Sequence, residues 1–197
     1  MSDSPPTIRY VQRRRAVPNG VLGMAVFLAS EATIFGTLIS SYFYLRFTSP
    51  QWPQGGIAAP SAILPICLTA ALVLTILPMG MASAAARAGN VRATWLLVAL
   101  ALVVQSAYLA VQILSYLHDL DSFTPSTNAY GSIYFTLLAT HHAHVAVGIL
   151  LDLWLLARLA LGGLTPYRVS AVRAIALYWY VVAALAIAVV ATQVSPS

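Results

Sequence analysis

Acidic and histidine side chains lie inside long apolar stretches of this 197-residue sequence, where charge is unusual. Such groups are costly in an apolar segment and normally face a partner or a cavity. Glu31 has two interpretations: a carboxyl that exchanges protons or tunes a proton path in a neighbouring subunit, or a protonated carboxyl hydrogen-bonded to another helix. The sequence does not separate them, and Asp152 is a second candidate for a buried or proton-related carboxyl.

A second set of polar residues follows one stripe of a helix, because His141, His144, Gly148 and Asp152 are spaced i, i+3, i+7 and i+11. Gly148 would allow another helix to approach closely. A His-x-x-His pair with carboxylates is also what a buried di-metal site needs, but facing helices offer only Glu31. Haem ligands would need histidines on opposite helices. Hydrogen bonding between helices is therefore favoured, and neither a metal nor a cofactor is expected in this chain.

Gln112 adds uncharged polarity to the segment before these histidines and is a third candidate, with His141 and His144, for polar contacts between helices. Intramembrane histidine and amide side chains commonly hydrogen-bond across helices. We expect that Glu31 and the His141 stripe are not satisfied within a lone monomer surrounded by lipid. The sequence therefore predicts a stable complex with a larger subunit.

The amino-acid composition predicts a membrane protein. Hydrophobic residues make up 60% and charged residues 8%, whereas ordinary soluble domains have about 25% charged residues. This excludes a soluble enzyme, a disordered protein and a coiled coil. All ten basic residues are arginines, but no basic run interleaved with aromatics follows, so nucleic-acid binding is not expected. Cys67 is the single cysteine, which excludes an intrachain disulfide.

Uncharged stretches of ~20 residues predict an all-α, integral membrane bundle of five transmembrane helices. The expected spans are roughly residues 21–45, 63–86, 93–117, 131–157 and 172–194. They form one domain over residues 20–197, preceded by a basic arm over residues 1–19. In the second span, Pro78 should kink or loosen the helix.

The distribution of the arginines predicts the orientation of the bundle in the membrane. Nine of them lie in the arm, between spans two and three, or around the connection between spans four and five, and Arg46 alone lies on the other side with Asp119 and Asp121. Because short cytoplasmic loops are rich in arginine, the N-terminus is placed in the cytoplasm. Arg46 and Trp52, on the external side, are candidates for lipid or interface contacts.

The polar motifs fall in a recognisable order. They are GMAVFLASE at residues 23–31, YFYLR at 42–46, YGSIYF at 130–135, HHAHV at 141–145 and YW at 178–179. This set resembles subunit III of the haem–copper oxidases in its short, five-helix bacterial form, from about Gly23 to the C-terminus. Any single motif is weak, but the ordered set is specific.

Departures from the family pattern are also visible. Ser115 stands where the family has a glutamate, and Tyr180 and Ala183 replace a histidine and an aspartate of the last helix. His142 replaces a glycine, and Asp152 is an additional acid. A divergent branch of the family is implied.

The resemblance implies a non-catalytic, cofactor-free subunit of a proton-pumping terminal oxidase, cytochrome c oxidase, in the bacterial cytoplasmic (inner) membrane. It would pack directly on subunit I, with subunit II and further subunits in the same complex, and support proton uptake during oxygen reduction. Haem and copper would lie in the partner subunits. Helices 1–2 and 3–5 would form a V-shaped cleft that holds bound phospholipid.

Two alternatives are open. One is subunit III of a quinol oxidase, or of a homologue associated with nitric oxide reductase, with the same fold. The other is an unrelated proton-coupled transporter that uses Glu31 and Asp152. A transporter would purify without haem, and the two oxidases would differ in their electron donor.

Overall fold

The computed structural model describes residues 18–57 and 62–194, and these ranges contain helices and no strands. Residues 1–17, and with them most of the expected basic arm, lie outside the described residues, as do residues 58–61 of the first loop. A short 3-10 turn covers Gln54–Gly56. The longer helices are α1 (Asn19–Thr48), α2 (Ile63–Leu74), α3 (Ile76–Arg87), α4 (Val91–Ser122), α5 (Ala129–Ala160) and α6 (Pro166–Val194).

The five expected spans are confirmed as helices. Helices α1, α4, α5 and α6 have 30, 32, 32 and 29 residues, and α2 with α3 covers 25 residues. Each exceeds the ~20 residues that a helix needs to cross the hydrocarbon core. Each is also apolar enough to do so.

Several helices extend beyond the apolar runs from which the spans were predicted. The Asn90 side chain accepts from the backbone N–H of Ala93 at 2.9 Å, and that of Asn128 accepts from Gly131 at 2.8 Å. Both asparagines therefore cap the first turns of α4 and α5. Pro166 begins α6, a position where its missing N–H costs no hydrogen bond.

The second span is interrupted at Thr75, between α2 and α3. Pro78 has no N–H to donate to the carbonyl of Leu74, four residues earlier, so the helical ladder loses a bond at this point. The backbone N–H and the hydroxyl of Thr75 both donate to the carbonyl O of Leu72, at 3.1 and 2.7 Å. Pro78 therefore interrupts the helix locally, and the hydrogen bonds of Thr75 bridge this interruption.

Helix α6 lies at the centre of the bundle and packs against α1, α2, α3 and α5, while α4 packs against α2, α3 and α5. Helix α1 packs on α6 and α5. The expected V-shaped grouping of helices 1–2 against 3–5 is not confirmed. Among the described residues, the main contacts of α1 are with the last two helices, and it has no comparable packing on α2 or α3.

The arginines of the described ranges divide between the two ends of the bundle. Arg46 is in the last turn of α1, at the end that also carries Asp119 and Asp121 of α4. The remaining described arginines lie near the N-terminal ends of α4 and α6 or the C-terminal ends of α3 and α5: Arg87, Arg92, Arg158, Arg168 and Arg173. The uneven distribution of arginines predicted from the sequence is therefore present between the two ends of the folded bundle.

Candidate functional site

Glu31 of α1 and His144 of α5 form a direct pair between two helices. Oε2 of Glu31 lies 2.8 Å from Nε2 of His144, and each side chain is 16% exposed. The Phe35 ring packs edge-on against His144 with 5.1 Å between ring centroids. Tyr178 of α6 donates to the backbone carbonyl O of His144 at 2.7 Å. The pair therefore lies where α1, α5 and α6 meet.

The hydrogen bonds of His144 fix how many protons the pair holds. Nδ1 lies 2.7 Å from the carbonyl O of Thr140, and since a carbonyl only accepts, Nδ1 carries a proton. The contact between Nε2 and Glu31 then contains one proton, held by the carboxyl or by the imidazole. In the first case both groups are neutral, and in the second they form an ion pair. The net charge is zero either way, so no lone charge is buried in the membrane.

His141 belongs to a separate chain of hydrogen bonds between α4 and α5. Gln112 donates through Nε2 to the Tyr108 hydroxyl oxygen at 3.1 Å, and that hydroxyl lies 3.0 Å from Nε2 of His141. The Tyr108 hydroxyl can donate to Nε2 of His141 or accept a second hydrogen bond from it, so the tautomer of His141 sets the direction of this contact. His141 is 1% exposed, and its Nδ1 has no partner among the described residues.

Asp152 is fully buried between α4, α5 and α6. Trp179 donates through Nε1 to Oδ2 of Asp152 at 2.9 Å. The amide of Gln105, oriented with its nitrogen towards Asp152, donates to the same oxygen at 2.8 Å and to the carbonyl O of Ala101 at 3.1 Å. Oδ1 has no partner among the described residues. Two N–H groups from neighbouring helices thus share one carboxylate oxygen.

Gly148 admits the Trp179 indole. A Cβ atom built on Gly148 would lie 2.5 Å from Cζ2 of Trp179, closer than real contacts allow. The expectation that Gly148 permits close approach of another helix is confirmed, since the indole fills the space above it and reaches Asp152 one turn further along α5.

One expectation is wrong in part. Glu31 and the His141 stripe were expected not to be satisfied within a lone monomer, but Glu31 pairs with His144 and His141 pairs with Tyr108. Among the described residues, Nδ1 of His141 and Oδ1 of Asp152 have no partner, as expected. The stripe is wide enough for its members to face three different neighbours, α1 for His144, α4 for His141 and α6 for Asp152. The need for polar partners therefore does not by itself predict a second subunit.

The two candidates for lipid or interface contacts, Arg46 and Trp52, lie near the ends of α1 and α5. Trp52 donates through Nε1 to the Tyr42 hydroxyl at 3.1 Å, and its ring packs edge-on against Tyr130 with 5.1 Å between centroids. Tyr42 in turn donates to the carbonyl O of Thr192 in α6 at 2.6 Å. Trp52 thus ties the first loop to the helix ends, and Arg46 lies in the last turn of α1.

A metal site would require ligands that converge. Within the described ranges, no group of three or more histidine, cysteine, aspartate or glutamate side chains is placed to hold a metal ion. His144 and His141 point to different helices, and each uses Nε2 in a hydrogen bond. This arrangement is suited to holding helices together and to storing a proton between Glu31 and His144.

Sequence reasoning missed Tyr108 and the role of Gln105. Tyr108 lies one helical turn before Gln112 on α4, and Gln105 faces the Asp152 carboxyl from the same helix. The i, i+4 spacing of Tyr108 and Gln112 indicated a shared polar face that could have predicted the contact with His141. The pairing of Gln105 with Asp152 depends on helix packing and has no such local signal.

The structure also places the residues that depart from the family pattern. Ser115 and His142 line a cavity of about 300 Å³ between α2, α4, α5 and α6, which is also lined by Asp119, whose carboxylate accepts from Tyr134 at 2.7 Å. The Tyr180 hydroxyl lies over Gly80 of α3, where an added Cβ would come within 3.0 Å of it. These substitutions change contacts between helices and leave the Glu31–His144 pair intact.

Five apolar helices whose acids and histidines pair across helices define a multi-pass membrane protein. The model of the family "Cytochrome c oxidase subunit III" matches residues 10–190. The chain belongs to this cytochrome c oxidase subunit III family.

Relatives carry names of both cytochrome and quinol oxidases. "Quinol oxidase subunit 3" of Bacillus subtilis is 27% identical over 81% of this chain and 78% of its own length. "Cytochrome c oxidase subunit 3" of Bacillus sp. strain PS3 is 28% identical over 82% and 78%. "Cytochrome bo(3) ubiquinol oxidase subunit 3" of Pseudomonas aeruginosa is 26% identical over 82% and 78%. The chain is therefore similar to the third subunits of oxidases that are named for different electron donors.

The hydrogen bond between Glu31 and His144 should be needed to hold α1 against α5. Glu31→Gln keeps a hydrogen-bonding group next to Nε2 of His144, whereas Glu31→Ala leaves this nitrogen unsatisfied, which costs ~1–3 kcal/mol. We expect the Gln variant to assemble as the wild type does and the Ala variant to be recovered less well. Infrared difference spectra of the carboxyl C=O stretch, compared between wild type and Glu31→Gln, identify which of the two groups holds the shared proton. Equal recovery of the Gln and Ala variants would contradict this role of Glu31.

Proposed function

We propose that this chain is the non-catalytic subunit III of a bacterial respiratory terminal oxidase, cytochrome c oxidase, which it supports during oxygen reduction. The observation that carries the proposal is the family match over residues 10–190. In this function the chain stabilises subunit I and supports proton uptake, and chemistry takes place elsewhere in the complex.

The geometry of the polar groups supports an accessory role. Glu31 and His144 hold one proton between them without a net charge, and Asp152 is enclosed by Trp179 and Gln105. Such contacts fix helices relative to one another. Glu31 is the residue proposed to relate to protons, because its pair is part-exposed and the Asp152 carboxyl is enclosed.

The partners follow from the proposed complex. Subunit I packs directly on this chain, subunit II and further subunits belong to the same complex, and haem and copper are held by those partners. The complex lies in the cytoplasmic membrane with the N-terminus of this chain in the cytoplasm, because the arginine-rich helix ends then face that side. Phospholipid binds to the membrane-facing surface of the bundle.

A quinol oxidase is the second candidate. The names of relatives from Bacillus subtilis and Pseudomonas aeruginosa favour it, since both are third subunits of quinol oxidases. The donor-binding residues of an oxidase belong to other subunits under either proposal, so the helices of this chain serve both equally well.

Purification through a tag on this chain tests the proposal. We expect mild detergent to recover a larger subunit whose spectrum shows haem, together with oxygen uptake. Uptake driven by reduced cytochrome c supports the first candidate, and uptake driven by quinol supports the second. Recovery of the chain as a haem-free monomer or homo-oligomer would contradict both.

Metal content provides a further prediction. Because His141 and His144 share helix α5 and make hydrogen bonds to α4 and α1, His144→Ala should leave the metal-to-protein ratio of the purified complex unchanged. Elemental analysis of the wild-type and variant complexes measures this ratio. Loss of one equivalent of a transition metal in the variant would show that this chain binds it.

A further inference from the structure

A pocket of about 280 Å³ opens between α1, α3 and α6 at the arginine-rich end of the bundle. It exists because α1 packs on α5 and α6 and leaves its side towards α3 open. Arg87 of α3 and Arg173 of α6 both line this pocket, together with Ser83 and Tyr180. We name this the Arg87–Arg173 pocket.

No acidic residue among those that the structure describes balances the charges in this pocket. None of the described lining residues is acidic. The contact between Glu31 and His144, which joins an acidic and a basic side chain of the described ranges, lies away from this pocket. Two guanidinium groups that face one pocket repel each other unless an anion lies between them.

The position of the pocket indicates an anion at the membrane surface. Arg87 is the last residue of α3, and Arg173 of α6 lies one residue after the start of the apolar run at 172–194, so both are at the edge of their spans. A charged side chain at this edge is stabilised by an anionic partner at the membrane surface. An anion bound between Arg87 and Arg173 would supply that partner.

Hydrogen-bond donors in the pocket match a phosphate group. A guanidinium can donate two parallel N–H groups to two phosphate oxygens, and the Tyr180 hydroxyl beside Gly80 adds a third donor. Arg87 also approaches Ser83, with 3.5 Å between Nη1 and Oγ, which limits its freedom. Apolar side chains of Val21, Ala176 and Leu177 complete the lining and suit an acyl chain.

We propose that the Arg87–Arg173 pocket binds a phosphate group, supplied by an anionic phospholipid headgroup or by free inorganic phosphate. The apolar part of the lining favours the lipid, and basic pockets between membrane helices on the cytoplasmic side are suited to anionic headgroups. The assignment deepens, and rests on, the phospholipid binding proposed above, and it gives Tyr180 a role that the family's histidine at this position would fill differently.

The test uses the complex purified through this chain, with its lipid replaced by neutral detergent. Native mass spectrometry then measures binding of phosphatidylglycerol, of a glycolipid without phosphate, and of inorganic phosphate. The variants are Arg87→Gln/Arg173→Gln, the charge-keeping Arg87→Lys/Arg173→Lys, and Arg92→Gln as a control on an exposed arginine outside the pocket.

Wild type and Arg92→Gln should bind one phosphatidylglycerol, and the double glutamine variant should bind it at least about tenfold more weakly because two cationic contacts are lost. The double lysine variant should fall between them, which also shows that a weakened site is not a failure to fold. Arginine-dependent binding of inorganic phosphate without phosphatidylglycerol would support the site and identify the free anion as its source.

Equal phosphatidylglycerol binding by the wild type and the double glutamine variant, or equal binding of the glycolipid by the wild type, would overturn the assignment. So would variants that lose a companion subunit while keeping their lipid, because the pocket would then receive a protein carboxylate. Haem content is measured on the same samples. A haem-free preparation contradicts the proposed oxidase function, whereas unchanged lipid binding in a haem-containing complex contradicts only this site.

Discussion

Asp152→Ala should destabilise the bundle strongly. It removes the oxygen that accepts from both Trp179 and Gln105, and each buried N–H left without an acceptor costs ~1–3 kcal/mol. The missing side chain also leaves a cavity beside Trp179, which adds to the loss. We expect a clear fall in the thermal unfolding temperature in detergent, accompanied by a change in tryptophan fluorescence as the indole loses its fixed partner.

Asp152→Asn provides the matched control. Its amide oxygen can take the place of Oδ2 and accept both N–H groups, while its nitrogen occupies the position of Oδ1, which has no partner among the described residues. The Asn variant should therefore unfold between the wild type and Asp152→Ala, because it keeps both accepted hydrogen bonds but leaves its own buried N–H groups without an acceptor. Asp121→Ala, at an exposed position near the end of α4, should have no effect. An Ala variant as stable as the wild type would show that this carboxyl does not hold the helices together.

Gly148→Leu should have the second large effect, and even Gly148→Ala should be destabilising. The first added carbon would lie 2.5 Å from Cζ2 and 2.8 Å from Cη2 of Trp179. The indole is 1% exposed and its Nε1 is held by Asp152, so it cannot move aside without losing a buried hydrogen bond. Overpacking of this kind costs ~1–3 kcal/mol, more than the ~1 kcal/mol that alanine gains over glycine within a helix.

Gly36→Ala is the matched control for this substitution. Gly36 lies within α1, and a Cβ there would meet nothing within 4 Å. Its unfolding temperature should equal or slightly exceed that of the wild type, whereas Gly148→Ala should fall and Gly148→Leu should prevent recovery of folded chain. Equal temperatures for the two alanine variants would mean that α5 and α6 do not approach as closely as Gly148 indicates.

The spans could be predicted from the sequence because lipid imposes a simple rule on them. A helix in hydrocarbon needs an apolar run of a given length, and every run found in the sequence is a helix in the structure. The helix ends were less predictable, since Asn90 and Asn128 cap turns that continue into polar sequence. An apolar run indicates which residues lie in the membrane, but it does not indicate how far the helix extends beyond those residues.

Polar partners were less predictable than spans. The spacing of His141 and His144 places both on one side of α5, but which neighbour each one meets depends on helix packing. His144 meets Glu31 of the first helix and His141 meets Tyr108 of α4. The expected V-shaped grouping of helices is not confirmed for the same reason, because the main contacts of α1 among the described residues are with the last two helices.

The pairing of α1 with α5 sets an order of events during synthesis. Glu31 is separated from His144 by 113 residues, which at about 5–20 residues per second corresponds to roughly 6–23 s of translation. During this interval Glu31 has no histidine to share its proton with, and a charged carboxylate in the membrane would cost at least ~2.5 kcal/mol. The Glu31 carboxyl must therefore be protonated, or shielded by the insertion machinery, until the fourth span is inserted and His144 can bind it.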